Sequence, residues 1–167
     1  MTIDNSQNKL LDLTQQAAQA LLDKNWLLAT AESCTGGWLA KCCTDLAGSS
    51  AWFERGFVTY SNQSKHDLLD VSLGTLEHYG AVSEQSAVEM ASGALTRSQA
   101  NISVAITGVA GPDGGSIEKP VGTVWIAWCL KNSRPQTVCL QLNGDREQIR
   151  YQAVVTALKG IIKNARD

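Results

Sequence analysis

The side chains best suited to chemistry fall in three short, glycine-marked segments. The first, Thr30 to Gly37, reads T-A-E-S-C-T-G-G. It puts a hydroxyl at Ser33 and a thiol at Cys34 on a turn that leads from a strand-like stretch into a helix. The free N–H groups and partial positive charge at such a helix start suit an oxyanion or a bound phosphate. Gly36 and Gly37 would let a ligand come close to the backbone. The same pattern also describes a plain helix start with two glycines chosen for packing. The second segment, Thr59 to Lys65, reads T-Y-S-N-Q-S-K. Ser61 or Asn62 can cap a helix here, and Lys65 is either a solvated charge or a general base. The second role demands a neutral amine. Moving a lysine from about 10.4 to about 7.5 takes roughly 4 kcal/mol of destabilisation of its charged form, which burial near a helix N-terminus can supply. The third segment, Thr107 to Gly115, reads T-G-V-A-G-P-D-G-G and is a binding lip or a flexible connection. It has neither the spacing of a dinucleotide fingerprint nor the G-K-[ST] of a phosphate loop.

What is scarce narrows the chemistry further. His66 and His78 are the only histidines, so a Ser-His-Asp arrangement would have to use one of them. His66 adjoins Lys65, and neighbours on a helix point in different directions. Metal-dependent hydrolysis draws on more His, Asp and Glu at ligand spacing, so no metal is expected and nucleophilic catalysis is the better fit. The five cysteines, Cys34, Cys42, Cys43, Cys129 and Cys139, form no C-x-x-C pair, which argues against a disulfide framework or zinc site. Cys129 and Cys139 lie in strand-like runs and are expected to be buried. With 14 basic and 16 acidic residues and a net charge of −2, the chain has no electrostatic footprint for nucleic acid. No apolar run approaches the roughly 20 residues that span a bilayer, and the polar stretch Met1 to Lys9 lacks a signal-peptide pattern. No membrane partner is expected, and the expected location is cytoplasmic.

The elements that must hold these segments alternate along the chain. Leu10, Leu11, Leu13, Ala17, Ala18, Leu21 and Leu22 recur at helical spacing and predict a helix over 8–24. Strand-like runs follow at 26–31, 53–60 and 102–106, then at 121–130 and 137–142, the last two separated by a connection short enough for an antiparallel hairpin. Helices are predicted over 38–46, over 62–69, around 73–79, and from a Ser83 cap through about Arg97. Asp145 with Gln148 three residues later reads as a capping box for a final helix. The result is an α/β domain, with helices on both faces of a mixed, mostly parallel sheet of about five strands, in an order left open. In such sheets ligands sit at the carboxyl ends of strands, where all three polar segments fall.

At these residues the chain resembles the CinA C-terminal domain family. The resemblance rests on T-A-E-S-C-T-G-G (30–37), A-G-S-S-A-W-F-E-R-G-F-V-T-Y-S-N-Q-S-K (47–65), G-A-V-S-E (80–84), I-T-G-V-A-G-P-D-G-G (106–115) and K-P-V-G-T-V-W (119–125). It extends from about Leu10 to Ala165, and F-E-R-G around Arg55 resembles the stand-alone deamidases within the family. The resemblance implies a three-layer α/β/α sandwich, with residues 1–167 as one amidohydrolase-type domain and 1–8 as a flexible N-terminus. It implies a homodimer that needs no cofactor and hydrolyses the carboxamide of nicotinamide mononucleotide to nicotinate mononucleotide and ammonia. The nucleotide pyrophosphatase activity associated with the N-terminal domain of larger members is not expected. Carried over by residue, it implies a Ser33–Lys65 dyad with Tyr60 nearby as a possible proton relay. Substrate would be held around Cys34, Thr35, Gly36 and Gly37, by Thr107, Gly108, Ala110 and Gly111, and by Arg146. Backbone N–H groups of the 34–37 turn would hold the oxyanion. Arg146 and Arg150, four apart on one helix face, either meet the phosphate or pair with acidic neighbours at the surface. Two alternatives stay open: an amidase using Cys34 with Glu32 and Lys65, and a catalytically silent nucleotide-binding module.

Overall fold

The computed structural model describes residues 3–167, with side chains from residue 5 onward. Helix α1 spans Ile3–Asp23, starting earlier than the apolar spacing indicates. Strand β1 (Leu28–Glu32) leads into α2 (Trp38–Thr44), and β2 (Phe53–Val58) into α3 (Asn62–Leu69), α4 (Leu73–Tyr79) and α5 (Glu84–Thr96). Strands β3 (Ile102–Gly108), β4 (Thr123–Leu130) and β5 (Gln136–Gln141) precede the final helix α6 (Arg146–Arg166). Local chemistry explains the helix starts. Ser61 with Ser64, and Asp145 with Gln148, form reciprocal capping boxes, and the Ser83 hydroxyl accepts the Ser86 N–H. Among the described residues no helix is long and apolar enough to cross a membrane.

The sheet order is β2-β1-β3-β4-β5. β1 pairs in parallel with both β2 and β3, whereas β3–β4 and β4–β5 are antiparallel. The pairings divide evenly, yet every strand except β4 runs in the same direction, in keeping with the mixed, mostly parallel sheet expected from the sequence. The chain returns from β3 to β4 through the glycine-rich 109–122 connection, and no crossover helix intervenes. The chain steps from β1 outward to β2, then crosses back to β3 on the other side of β1. That reversal opens a crevice at the carboxyl end of β1, the general place for ligands in open α/β sheets.

Side-chain size differs between the two faces. Leu28, Ile102, Val104, Ile106, Val124, Ile126 and Trp128 join the core that contains α1, α2 and α6. Full burial of side chains this large contributes roughly 1.5–3 kcal/mol each. The intervening positions, Ala29, Ala31, Ala105 and Ala127, are small and face Ala87, Met90, Ala91 and Ala94 of α5, so α5 packs close to the sheet. The end of α3 comes close in turn: a methyl group added at Gly93 of α5 would overlap the Leu69 carbonyl. Glycine at 93 thus permits the approach that carries α3 inward. Cys129 is buried as its pattern indicates, but Cys139 is exposed, because β5 is an edge strand with one covered face.

Candidate active site

The carboxyl ends of β1, β2 and β3 lie on one edge of the sheet. The start of β4 and the end of β5 share that edge because both run antiparallel to β3 and β4 respectively. Ser33 follows β1 directly, and its N–H donates to the Ile106 carbonyl of β3 at 2.9 Å. Its side chain is nearly enclosed, with 9% exposure. Lys65 lies in the first turn of α3 and is 1% exposed. Its Nζ is 3.0 Å from Ser33 Oγ and 2.7 Å from the Thr59 carbonyl oxygen. Among the described residues no carboxylate pairs with it. Burial lowers its pKa from an ordinary 10.5 to about 8, against a small opposing influence of the Cys34 sulfur. The position near a helix N-terminus also disfavours an ammonium group. At pH 7 a pKa of 8 leaves about a tenth of the amine neutral, against roughly three in ten thousand for an unperturbed lysine. An amine in that state can accept the Ser33 proton while donating to Thr59.

Glu32 is fully buried and turned toward α2. Its carboxylate accepts the N–H groups of Gly37 at 3.2 Å, Leu39 at 3.1 Å and Ala40 at 2.9 Å. It caps a helix whose own N-cap residue, Gly37, is left-handed (φ 93°) and has no side chain to do so. The sequence reading gave Glu32 only a supporting place beside a cysteine nucleophile. Its position five to eight residues before the groups it caps was the available signal. Cys34 is buried, and burial pushes its thiol up to about 11, with its own backbone N–H the largest opposing influence. A protonated thiol with Glu32 occupied elsewhere is poorly suited to attack.

The Glu32 cap and the turn's own bonds also sort the candidate oxyanion donors. The Gly37 N–H is taken by Glu32 and the Gly36 N–H by the Ser33 carbonyl at 3.0 Å. Gly36 and Gly37 therefore allow the left-handed turn (φ 61° and 93°) and do not donate to a ligand. Among the described residues the Thr35 N–H has no hydrogen-bond partner, and the Cys34 N–H faces only its own sulfur.

The remaining predicted residues separate into those at the mouth and those behind it. The Tyr60 side chain is 63% exposed, and its hydroxyl accepts from Arg146 Nη2 at 3.0 Å. It bonds to neither Ser33 nor Lys65, so no relay through Tyr60 is in place. Arg146 Nη1 donates to the Gly111 carbonyl at 2.7 Å, so residues from the β2–α3 turn, the β3–β4 loop and the start of α6 meet there. Thr107 is fully buried, with its hydroxyl donating to the Ala81 carbonyl at 2.8 Å. It ties the end of β3 to the α4–α5 connection, and its hydroxyl is committed there. Ala110 is buried in the core, and Gly108 sits against the Thr123 carbonyl, where a Cβ would approach to 2.7 Å. Both shape the loop, and of this group only Gly111 reaches the mouth. Arg150 does not join Arg146 there: its guanidinium is spent on the carbonyls of Cys34 and Thr35 at 3.1 and 3.0 Å. A cavity of about 930 Å³ adjoins the turn, lined by Gly36, Gly37, Trp38, Arg146, Arg150 and residues of α1. Among the described residues no cluster of three His, Cys, Asp or Glu side chains could hold a metal ion.

Residues 10–165 match the family model of the CinA C-terminal domain. The chain is 55% identical over 163 residues to the nicotinamide-nucleotide amidohydrolase PncC of Enterobacter agglomerans, covering 95% of this chain and 99% of that protein. It is 53% identical over 152 residues to PncC of Escherichia coli K12, covering 91% and 92%. Among solved structures, the competence/damage inducible protein CihA of Agrobacterium tumefaciens superposes with a TM-score of 0.92 at 44% identity, covering 95% of this chain and 96% of that one.

Proposed function

The chain belongs to the CinA C-terminal domain family, and from that premise we propose that it hydrolyses the carboxamide of nicotinamide mononucleotide, releasing ammonia and nicotinate mononucleotide. The relatives named as nicotinamide-nucleotide amidohydrolases support the substrate class. The observation that carries the mechanism is the 3.0 Å separation between Ser33 Oγ and a buried Lys65 amine.

In this reading neutral Lys65 takes the proton of Ser33 as Oγ bonds to the carboxamide carbon. The carbonyl π electrons move to oxygen, and the resulting oxyanion is held by the N–H groups of Cys34 and Thr35. The carbonyl then re-forms and the C–N bond breaks. The Lys65 ammonium returns its proton to the departing nitrogen, which leaves as ammonia. Water, deprotonated by Lys65, attacks the acyl ester, and Ser33 leaves with the proton restored. Every step uses groups of the chain itself. Arg146, with no carboxylate partner among the described residues, is the group we assign to the phosphate, where its planar fork suits two oxygens. The protein would act as a homodimer. Ammonia release from nicotinamide mononucleotide by purified protein, with Ser33→Ala and Lys65→Ala beside it, is the direct test. Turnover by wild type and loss in both variants is expected. A silent wild type would leave only nucleotide binding, and normal turnover by Ser33→Ala would remove the dyad.

A further inference from the structure

Resting on that reading, we infer that Arg150 is a positioning residue that aims the Thr35 N–H into the oxyanion site. Arg150 stands one turn along α6 from Arg146 and reaches across to the nucleophile turn. Its Nε donates to the Cys34 carbonyl at 3.1 Å and its Nη2 to the Thr35 carbonyl at 3.0 Å. Two adjacent donors of a rigid planar group thus hold two consecutive carbonyls. The guanidinium also lies over the Trp38 ring, 5.2 Å from its centroid, and among the described residues no carboxylate pairs with it.

The consequence follows from peptide geometry. In a trans peptide the carbonyl of one residue and the N–H of the next point in opposite directions. Holding the Cys34 carbonyl toward α6 therefore turns the Thr35 N–H away from α6. Holding the Thr35 carbonyl does the same for the Gly36 N–H, which donates to the Ser33 carbonyl. That last bond in turn sets the peptide preceding Cys34, and with it the Cys34 N–H. The Thr35 N–H is thus oriented by the Arg150 bond to the Cys34 carbonyl. The Cys34 N–H, beside its own sulfur, follows through a chain of bonds that ends on the Thr35 carbonyl, held by Arg150 and by the Trp38 N–H at 3.1 Å. No side chain of the turn performs this task, since Gly36 and Gly37 have none and Glu32 is committed to the start of α2.

The test is steady-state kinetics on Arg150→Met and Arg150→Lys, with thermal unfolding of each variant and Ser33→Ala as reference. Loss of an oxyanion donor costs about 100- to 1000-fold in kcat, and its misorientation a part of that, so Arg150→Met is expected to lower kcat about 10- to 100-fold with KM within twofold. Arg150→Lys keeps the charge but cannot hold both carbonyls in one plane, so its kcat should fall between Arg150→Met and wild type at an unchanged melting temperature. It decides the matter if Arg150→Met does not fold. The pH at which the activity rises should stay the same in both, because Lys65 is untouched. A raised KM with kcat preserved would make Arg150 a phosphate ligand and overturn the inference, as would wild-type kcat in either variant. Either result leaves the dyad intact provided Ser33→Ala is inactive, so the two readings fail separately.

Discussion

Replacing Lys65 with Met should abolish turnover and, at neutral pH, make the protein more stable. The native pKa of about 8 lies below the roughly 10.4 of an unfolded lysine. Below pH 8 the amine is protonated in both states, and the native state bears the whole cost of a buried charge, about 3 kcal/mol by linkage. As pH rises through 8, the native amine sheds its proton while the unfolded one keeps it until about 10.4. The unfolded state then binds more protons, so the cost shrinks, to under about 1 kcal/mol at pH 10. Methionine fills similar space without a charge but leaves Ser33 Oγ and the Thr59 carbonyl without their donor, at about 1 kcal/mol each. The expected net gain at pH 7 is therefore about 1–2 kcal/mol. The sharper quantity is the change in the gap between variant and wild type from pH 7 to 10, a narrowing of about 2 kcal/mol, because the hydrogen-bond losses cancel from it. Urea unfolding of both proteins at the two pH values measures it. Comparison with wild type also removes the raised thiols of Cys42 and Cys43, which bias stability in the opposite direction as pH rises. A constant gap across that range, or turnover by Lys65→Met, would refute the reasoning.

Three more substitutions probe the surrounding machinery. Cys34→Ala should retain deamidation within a few fold, since its thiol stays protonated to about pH 11; loss of all activity in a folded variant would restore the cysteine as nucleophile. Gly93→Ala should push the end of α3 off α5, costing about 1–3 kcal/mol on denaturant unfolding and lowering kcat by moving Lys65 from Ser33; unchanged stability and rate would show that α3 has room to spare. Arg146→Ala should raise KM for the mononucleotide about tenfold or more with a smaller effect on kcat; an unchanged KM in steady-state assays would place the phosphate elsewhere.

Local rules were enough to outline most of the fold. The Ser61, Ser83 and Asp145 caps act on N–H groups three residues away, so the helix starts were legible in short windows. The alternation of strands and helices was legible for the same reason. The three polar segments follow strand ends, and the sheet brings those ends to one edge, as their coincidence in the sequence indicates. The helix at 3–8 was less legible, because the apolar residues that signal α1 begin only at Leu10.

Tertiary structure decided everything that depends on neighbours distant in sequence. Ser33 and Cys34 both offer a nucleophilic atom on the same turn, and among the described residues it is the Ser33 hydroxyl that is hydrogen-bonded to the Lys65 amine. The lysine's low pKa is a matter of desolvation, created when α3 packs inward beside Gly93. Arg146 and Arg150 share a helix face and a residue type, yet one meets the Gly111 loop and the other clasps the carbonyls of Cys34 and Thr35. Tyr60 lies between two residues of the second motif but turns outward to Arg146. Periodicity and capping are properties of a few consecutive residues, so they can be read in one dimension. Burial, charge state and the direction of a hydrogen bond belong to the packed whole.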